Sequence, residues 1–380
     1  MIEAVNDKRD TSSSQQSVKT ARVLVAASSS GGHLIPALHI MKAIKEAQPG
    51  SVVEAIGTGR PLEEKILVEN GFTRHVIEAV AIKQRGFLGP VRFILSLPRG
   101  VAACVRLFRS FKPDAVVGVG GYVSVLPVVV ARCMRIPTWI HEAELQPGLA
   151  NKFLAYWADR ISISFTDTKV RGRARSVCTG HPVRPELKSV ARMTVQPGSP
   201  KHLLVLGGSQ GARGLDEMIP VIGPMLKERG IEVVHQCREE NMELVRNSYR
   251  ACGVAASVVP FIDDMAGAYE WSDVIISRAG ASSVAEIACV NRPVIFVPYP
   301  FQQGTHQSDN ARSLAQAGKA VVIEENQPEF GPRLLKALEG LLTPEGFKSM
   351  KMAPYEPRGL GAAQAIAEGV LTLVSDSGTT

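Results

Sequence analysis

The sequence reads as an α/β protein of two doubly wound parallel sheets, two Rossmann-like domains that face one cleft. Three observations predict this. Short apolar runs such as Arg22–Ala27, Ala115–Val119, His202–Leu206 and Asp273–Ser277 are continuous rather than alternating, as in strands buried on both faces. Each run leads through a glycine-bearing loop towards a segment whose apolar residues recur at helical spacing, which is the order of βα units. The length, 380 residues with 45% hydrophobic and 21% charged side chains, suits two globular domains and not a disordered chain.

Residues 1–20 are polar and aperiodic, and read as a disordered tail. The first strand ends at Ser28-Ser29-Ser30-Gly31-Gly32-His33, and Leu34, Leu38, Met41, Ile44 and Ala47 then mark a helix. Ala115–Val119 is followed by Gly120-Gly121-Tyr122, an apolar helix from Val123, and a strand Pro137–Ile140 that ends at His141-Glu142. Pro182, Pro185, Pro197 and Pro200 replace periodicity, which gives an N-terminal domain over 21–186 and a linker over 187–200. In the second half, His202–Leu206 enters Gly207–Arg213 and a helix. Asp273–Ser277 enters Arg278–Ser283, a helix Val284–Cys289 and a strand Pro293–Val297. This second domain spans 201–355, and 356–380 is expected to form a helix and tail that pack back on the first domain.

Several classes are excluded. The longest apolar run, Val123–Ala131, contains a serine and a proline and is far shorter than the roughly 20 residues of a membrane span. Glu3, Asp7 and Asp10 precede no apolar core, so no secretory signal is expected. Six scattered cysteines without a Cys-x-x-Cys pair disfavour a disulfide framework or a thiolate zinc site and point to a reducing compartment.

Four glycine-rich loops stand at strand ends: Ser30–His33, Gly118–Gly121, Gly207–Gly211 and Arg278–Gly280. Such loops let backbone N–H groups approach an anion, and the helix behind each turns its positive end towards it, so a phosphate-bearing ligand is expected. Tight turning alone accounts for any one of them. There is no G-x-x-x-x-G-K-[ST], no G-x-G-x-x-G and no Asp-x-Asp, which leaves a nucleotide-diphosphate site with no metal and no cofactor. His33, at a loop mouth where a helix begins, suits a general base; a bond to its own loop explains it equally. Glu286 suits a ribose diol or, alternatively, a helix N-terminus. His141 and Glu142 orient an acceptor or pair with each other.

Together these loops resemble the MurG family of glycosyltransferases. The likeness lies in Ser30-Gly31-Gly32-His33, Gly120–Ser124, His141-Glu142 with Pro147–Lys152, and Gly180–Arg184. It continues in Gly207–Arg213, Phe261–Met265, Arg278–Ala281, Glu286–Ala288 and His306-Gln307 with Asn310-Ala311, over about residues 21–370. The resemblance implies a GT-B fold and an inverting transfer of N-acetylglucosamine from UDP-N-acetylglucosamine to the C4 hydroxyl of lipid I, giving lipid II for peptidoglycan. It implies that Ser30, Gly31 and Gly32 contact the donor, and that Arg184 and Ser209 approach the diphosphate. Ile262 would lie by the uracil, Ala281, Ser282, Ser283, Val284, Ala285 and Glu286 would hold the nucleotide, and Gln307 the sugar. His33 and Glu286 would be the catalytic pair, with Tyr122, His141, Glu142 and Glu144 on the acceptor side. The chain departs from the family at Glu144, where an amide is usual, at His181, where Asn precedes Pro-Val-Arg, and at Thr305, where Asp precedes His-Gln. A carboxylate at 144 accepts hydrogen bonds but does not donate them.

The charge is uneven. Lys and Arg number 43 against 36 Asp and Glu, a net +7, and residues 79–113 hold seven basic side chains and no acidic one. Arg85, Arg92, Arg99 and Arg106 recur every seven residues among Phe and Leu side chains. Gly86–Pro90 and Pro98 are expected to interrupt any continuous helix, leaving a loop and one or two short helices. This segment suits the anionic inner face of a cytoplasmic membrane, where each charge contributes about 1 kcal/mol, although apolar residues facing the core and solvated arginines explain it too. Such a peripheral enzyme would meet cell-wall synthesis and division proteins. A nucleic-acid partner is the rival for a basic chain, disfavoured by the lack of a stacking or helix-turn-helix motif. A related sugar-nucleotide enzyme such as an epimerase, or a silent scaffold, is the other alternative.

Overall fold

The computed structural model describes residues 20–27, 30–77, 89–192, 200–208, 211–300, 306–352 and 357–377. Residues 1–19 of the expected tail, 193–199 of the expected linker, Arg85, Ser209 and Thr305 lie outside them, as do the side chains of 89–96, while Leu187–Ala191 forms a short helix where the linker is expected.

Two all-parallel sheets organise the chain. The first contains β1 (Arg22–Ala26), β2 (Val52–Gly57), β3 (Arg74–Val76), β4 (Ala115–Gly118), β5 (Thr138–Glu142), β6 (Arg160–Ile163) and β7 (Arg175–Cys178), in the order β3-β2-β1-β4-β5-β6-β7. The second contains β8 (His202–Leu206), β9 (Glu232–Gln236), β10 (Ala256–Val259), β11 (Val274–Ser277), β12 (Val294–Phe296) and β13 (Ala320–Val322), in the order β10-β9-β8-β11-β12-β13. Val23, Leu24, Val25 and Ala26 are all buried, as are Leu203 to Leu206, because helices cover both faces. The strand order reverses between β1 and β4 and again between β8 and β11, so each sheet has a switch point where the loops part and leave a crevice. The four glycine loops follow β1, β4, β8 and β11, the strands that flank these two crevices.

Several element boundaries differ from the sequence reading. The first helix is Gly31–Ala47 and the one after β11 is Ala281–Val290, each starting about one turn earlier than apolar periodicity suggests, because glycine and serine positions begin them. Tyr122–Ser124 forms a 3-10 turn before the helix Val125–Cys133. Most instructive is Gly89–Phe111, one 23-residue helix that contains Pro98, where interruption is expected. Pro98 forfeits one helical bond, but Cys104, Phe108 and Phe111, at i, i+4 and i+7, are buried beneath the sheet and hold the helix in place. Arg22 fixes its end, stacking at 4.5 Å over the Phe111 ring and donating from Nε to the Phe111 carbonyl at 2.6 Å. The phenylalanines of this half therefore belong to the core, and Arg99 and Arg106 are left exposed on the other side.

The last helix, Gly359–Ser377, crosses back from the second sheet to the first. Ala363, Ile366, Ala367 and Val370 join the core formed by Val23, Leu34 and Met41. Its seat is tight at Gly369, where an added Cβ would stand 2.4 Å from the Trp139 ring, whereas one on Gly361 would meet nothing within 4 Å. Gly369→Val should lower unfolding stability by about 1–3 kcal/mol through overpacking. Gly361→Ala should be neutral or gain up to about 1 kcal/mol from helix propensity. Denaturant unfolding of the two variants checks the difference.

Candidate active site

At the first switch point, Ser30 is the N-cap of the Gly31–Ala47 helix with extended backbone, φ −106° and ψ 148°, but its side chain does not cap the helix. Its hydroxyl instead lies 2.6 Å from Nδ1 of His33, one turn on. Open space surrounds the Cα positions of Gly31 and Gly32, so the first-turn amides are unscreened by side chains and suit an anion. The His33 ring lies against Gly120: an added Cβ would be 2.8 Å from His33 Cδ2, and φ there is +78°. Both facts demand glycine. Burial lowers the His33 pKa below its ordinary 6.5, so the ring is neutral at physiological pH. With Nδ1–H donated to the Ser30 oxygen, the Nε2 lone pair is available to take a proton.

His141 and Glu142 do not pair with each other, because adjacent strand residues point to opposite faces. The buried Glu142 carboxylate accepts the backbone N–H groups of Glu144 (2.9 Å) and Gly148 (3.0 Å) and the Asn151 amide (2.9 Å), and so shapes the loop between them. Burial pushes its pKa up, against those three bonds. This loop reaches the second domain. Glu144 accepts from the Asn310 side-chain amide, Leu145 N–H donates to Asn310 Oδ1 at 3.0 Å, and His306 Nδ1 donates to the Gln146 carbonyl at 3.0 Å. Burial raises the Glu144 pKa, with the Asn310 bond and His306 opposing. The departing carboxylate is thus turned onto the Asn310 amide of the opposing domain. Tyr122 is half-buried in the turn after β4.

At the second switch point, the Ala281–Val290 helix starts from Gly280 with no side-chain cap and nothing near the Gly280 Cα. Its N–H groups face outward free of side-chain acceptors, a second anion seat. Glu286 lies in the second turn, not at the N-terminus, so it is not a partner of the helix dipole. It is buried, accepting from Arg184 Nε at 2.7 Å and from the Tyr269 hydroxyl at 3.0 Å. Burial works against the Arg184 charge, the Glu286 carboxylate overcomes it, and the net shift is upward. Arg184 is thus held by Glu286, and Ser282 on the same helix face accepts or donates at 2.9 Å to His181 Nε2. Ile262 packs on the edge of this domain's core, and Gln307 accepts the Tyr299 N–H at 2.9 Å.

The structure therefore groups Ser30, Gly31, Gly32 and His33 at one crevice and Arg184, Ser282 and Glu286 at the other. The helices Gly31–Ala47 and Ala281–Val290 touch where the domains meet. Arg99 and Arg106 stand apart on an outer helix. Sequence reasoning gave no role to Tyr269, Asn151 or Asn310; only the last two stand within quoted motifs, and Tyr269 offers no signal, since its partner is 17 residues away.

Two Rossmann-like domains with their crevices brought together define the GT-B class of α/β protein. The N-terminal domain of glycosyltransferase family 28 matches residues 23–163 and its C-terminal domain matches 202–365. A Geobacter metallireducens protein described as UDP-N-acetylglucosamine–N-acetylmuramyl-(pentapeptide) pyrophosphoryl-undecaprenol N-acetylglucosamine transferase is 36% identical, over 92% of this chain and 98% of its own. A Coxiella burnetii protein of the same description is 39% identical, over 80% and 85%. The crystal structure of Acinetobacter baumannii MurG superposes with a TM-score of 0.73 at 27% identity, covering 93% of this chain and 99% of that one. A Neisseria meningitidis UDP-GlcNAc 2-epimerase, 13% identical with a TM-score of 0.65, shares the fold. The chain belongs to the MurG family of N-acetylglucosamine transferases.

Gly120→Ala should displace the His33 ring and lower the turnover of that transfer by at least tenfold while leaving UDP affinity within twofold. Steady-state kinetics beside calorimetry of UDP binding checks this.

Proposed function

We propose that this chain is an inverting hexosyltransferase that moves N-acetylglucosamine from UDP-N-acetylglucosamine to the C4 hydroxyl of the MurNAc unit in lipid I, giving lipid II. The observation that carries the site is the juxtaposition of a neutral His33 at one switch point with an uncapped helix N-terminus at the other. The acceptor hydroxyl attacks the anomeric carbon, the new C–O bond forms as the bond to the diphosphate breaks, and His33 Nε2 takes the hydroxyl proton. Negative charge developing on the departing UDP is met by the first-turn amides of the Ala281–Val290 helix and by Arg184. Glu286, freed from Arg184, accepts the ribose hydroxyls. Assay of the purified protein with UDP-N-acetylglucosamine and a lipid I analogue tests the reading; absence of transfer, or preference for another sugar nucleotide, rejects it.

His33→Ala should reduce turnover by about 10²–10⁴-fold, the range of a general base, with UDP affinity retained. The base works neutral and its pKa is depressed, so the acid limb of the activity profile should have its midpoint below pH 6.5, activity being lost as acid protonates His33.

The acceptor is lipid-linked, and one outer face of the first domain suits a peripheral position at an anionic bilayer. Among the described residues no helix is long and apolar enough to cross a membrane. Exposed Arg99 and Arg106 lie on the Gly89–Phe111 helix, the helix Val125–Cys133 packs beside it, and Leu149 is 85% exposed, Phe153 48% and Tyr156 61% on the next helix and turn. Arg132, Arg135 and Arg173 surround Tyr156 and Trp157 there, and apolar tips among guanidinium groups favour a headgroup layer. Arg99→Glu with Arg106→Glu should weaken binding to vesicles containing acidic lipid by at least tenfold, at about 1 kcal/mol per charge, and leave transfer to a short-chain soluble acceptor unchanged. Co-sedimentation with acidic and with neutral vesicles checks this.

A further inference from the structure

Arg184 and His181 belong to one short segment after β7 that runs along the Ala281–Val290 helix, meeting Glu286 and Ser282, which are four residues apart and so share one face. The two bonds differ in what lies behind them. Arg184 ends at Glu286 and Tyr269, but His181 continues into the first sheet. Its Nδ1 lies 3.3 Å from His141 Nε2, His141 Nδ1 lies 3.0 Å from Ser162 Oγ, and Ser162 accepts from Trp139 Nε1 at 3.0 Å. Trp139, His141, Ser162 and His181 are all buried.

This is a continuous chain of hydrogen bonds. Trp139 can only donate, so Ser162 accepts from it, and the Ser162 hydroxyl reaches both the Ile140 carbonyl at 3.3 Å and His141 Nδ1 at 3.0 Å. His141 Nε2 and His181 Nδ1 share one proton, and His181 Nε2 and the Ser282 hydroxyl share the next. Each imidazole needs a single proton for this, and burial lowers both, His141 to about 3 and His181 well below its ordinary value. Every buried nitrogen of the pair is satisfied, and the last hydroxyl sits in the first turn of the helix whose amides receive the diphosphate in the proposed function.

We infer that His181 is a positioning residue for the transfer: bridging His141 and Ser282, it fixes the first turn of the Ala281–Val290 helix against the sheet that carries His33. This rests on the functional reading above. In that reading UDP is held by the second domain's helix and by Arg184, neither of which the His181 side chain supplies, whereas transfer also needs that helix registered against the first domain, where small misplacements cost rate. The bridge therefore acts on turnover and not on nucleotide affinity. His181 and Glu144 are both departures from the family pattern, and both make bonds across the domain interface.

The test compares His181→Ala, Ser282→Ala, the double variant and His181→Gln, using steady-state transfer, calorimetry with UDP, and amide exchange of residues 281–284 in the UDP-bound protein. Each single alanine should lower kcat about fivefold, the effect of losing one neutral hydrogen bond. The UDP Kd of His181→Ala should stay within twofold, the double variant should be no slower than the slower single, and exchange at 281–284 should rise. His181→Gln, which keeps a donor and an acceptor, should recover part of the rate. Multiplying losses in the double variant, unchanged kcat in Ser282→Ala, or a fall in the UDP affinity of His181→Ala matching its fall in rate would each overturn the inference, the last by making the bridge part of the nucleotide site. If the wild-type protein does not transfer this sugar, the proposed function fails on its own terms, while amide exchange still reads the bridge.

Discussion

The ion pair between half-buried Arg184 and buried Glu286 is the constraint on which the arrangement of the two domains depends. A carboxylate in the second turn of the Ala281–Val290 helix is desolvated by the core around it, and is stable as an anion only with a charged or hydrogen-bonding partner. Arg184 and Tyr269 supply that partnership, so the segment leaving the first sheet is drawn along the helix that opens the second crevice. Removing Arg184 would leave the buried Glu286 with the Tyr269 hydroxyl alone, which costs stability because a desolvated carboxylate loses its counter-charge. The loop from Glu142 to Gly148 adds a second attachment at Asn310 and His306, and Lys65 adds a third, resting 5.3 Å from the Phe261 ring. Both crevices are thereby presented to one space. Under the proposed function that pair exchanges partners, ribose hydroxyls replacing Arg184 at Glu286 and phosphate oxygens replacing Glu286 at Arg184.

Much of this was legible in the sequence because it depends on local chemistry. Continuous apolar runs such as Leu203–Leu206 give strands buried on both faces, and glycines directly after them give the loops of the switch points. What was hidden depends on long-range packing. Pro98 signals a break, yet the burial of Cys104, Phe108 and Phe111 carries one helix through it. His141 and His181 are 40 residues apart and meet only because β5, β6 and β7 are neighbours in the sheet. Glu142 looks like an acceptor ligand from its position, but its lone pairs close a loop. The chemical type of the site could thus be read, whereas the partner of each polar group could not.

The surplus of charge has a location as well. Setting aside the seven basic residues of 79–113 leaves equal numbers of cationic and anionic side chains, 36 of each, so the net +7 is a property of one segment. Its described half is a helix that turns Phe108 and Phe111 inward and Arg99 and Arg106 outward. The same residues stabilise the core and leave a positive face, an economy available to any amphipathic helix.

The most direct measurement is a crystal structure with UDP-N-acetylglucosamine and an acceptor analogue bound. The account predicts the diphosphate on the first-turn amides of the Ala281–Val290 helix, Glu286 released from Arg184 onto the ribose, and His33 Nε2 within hydrogen-bond reach of the acceptor hydroxyl. A nucleotide seated on the first sheet, or an intact Arg184–Glu286 pair with the donor elsewhere, would contradict it.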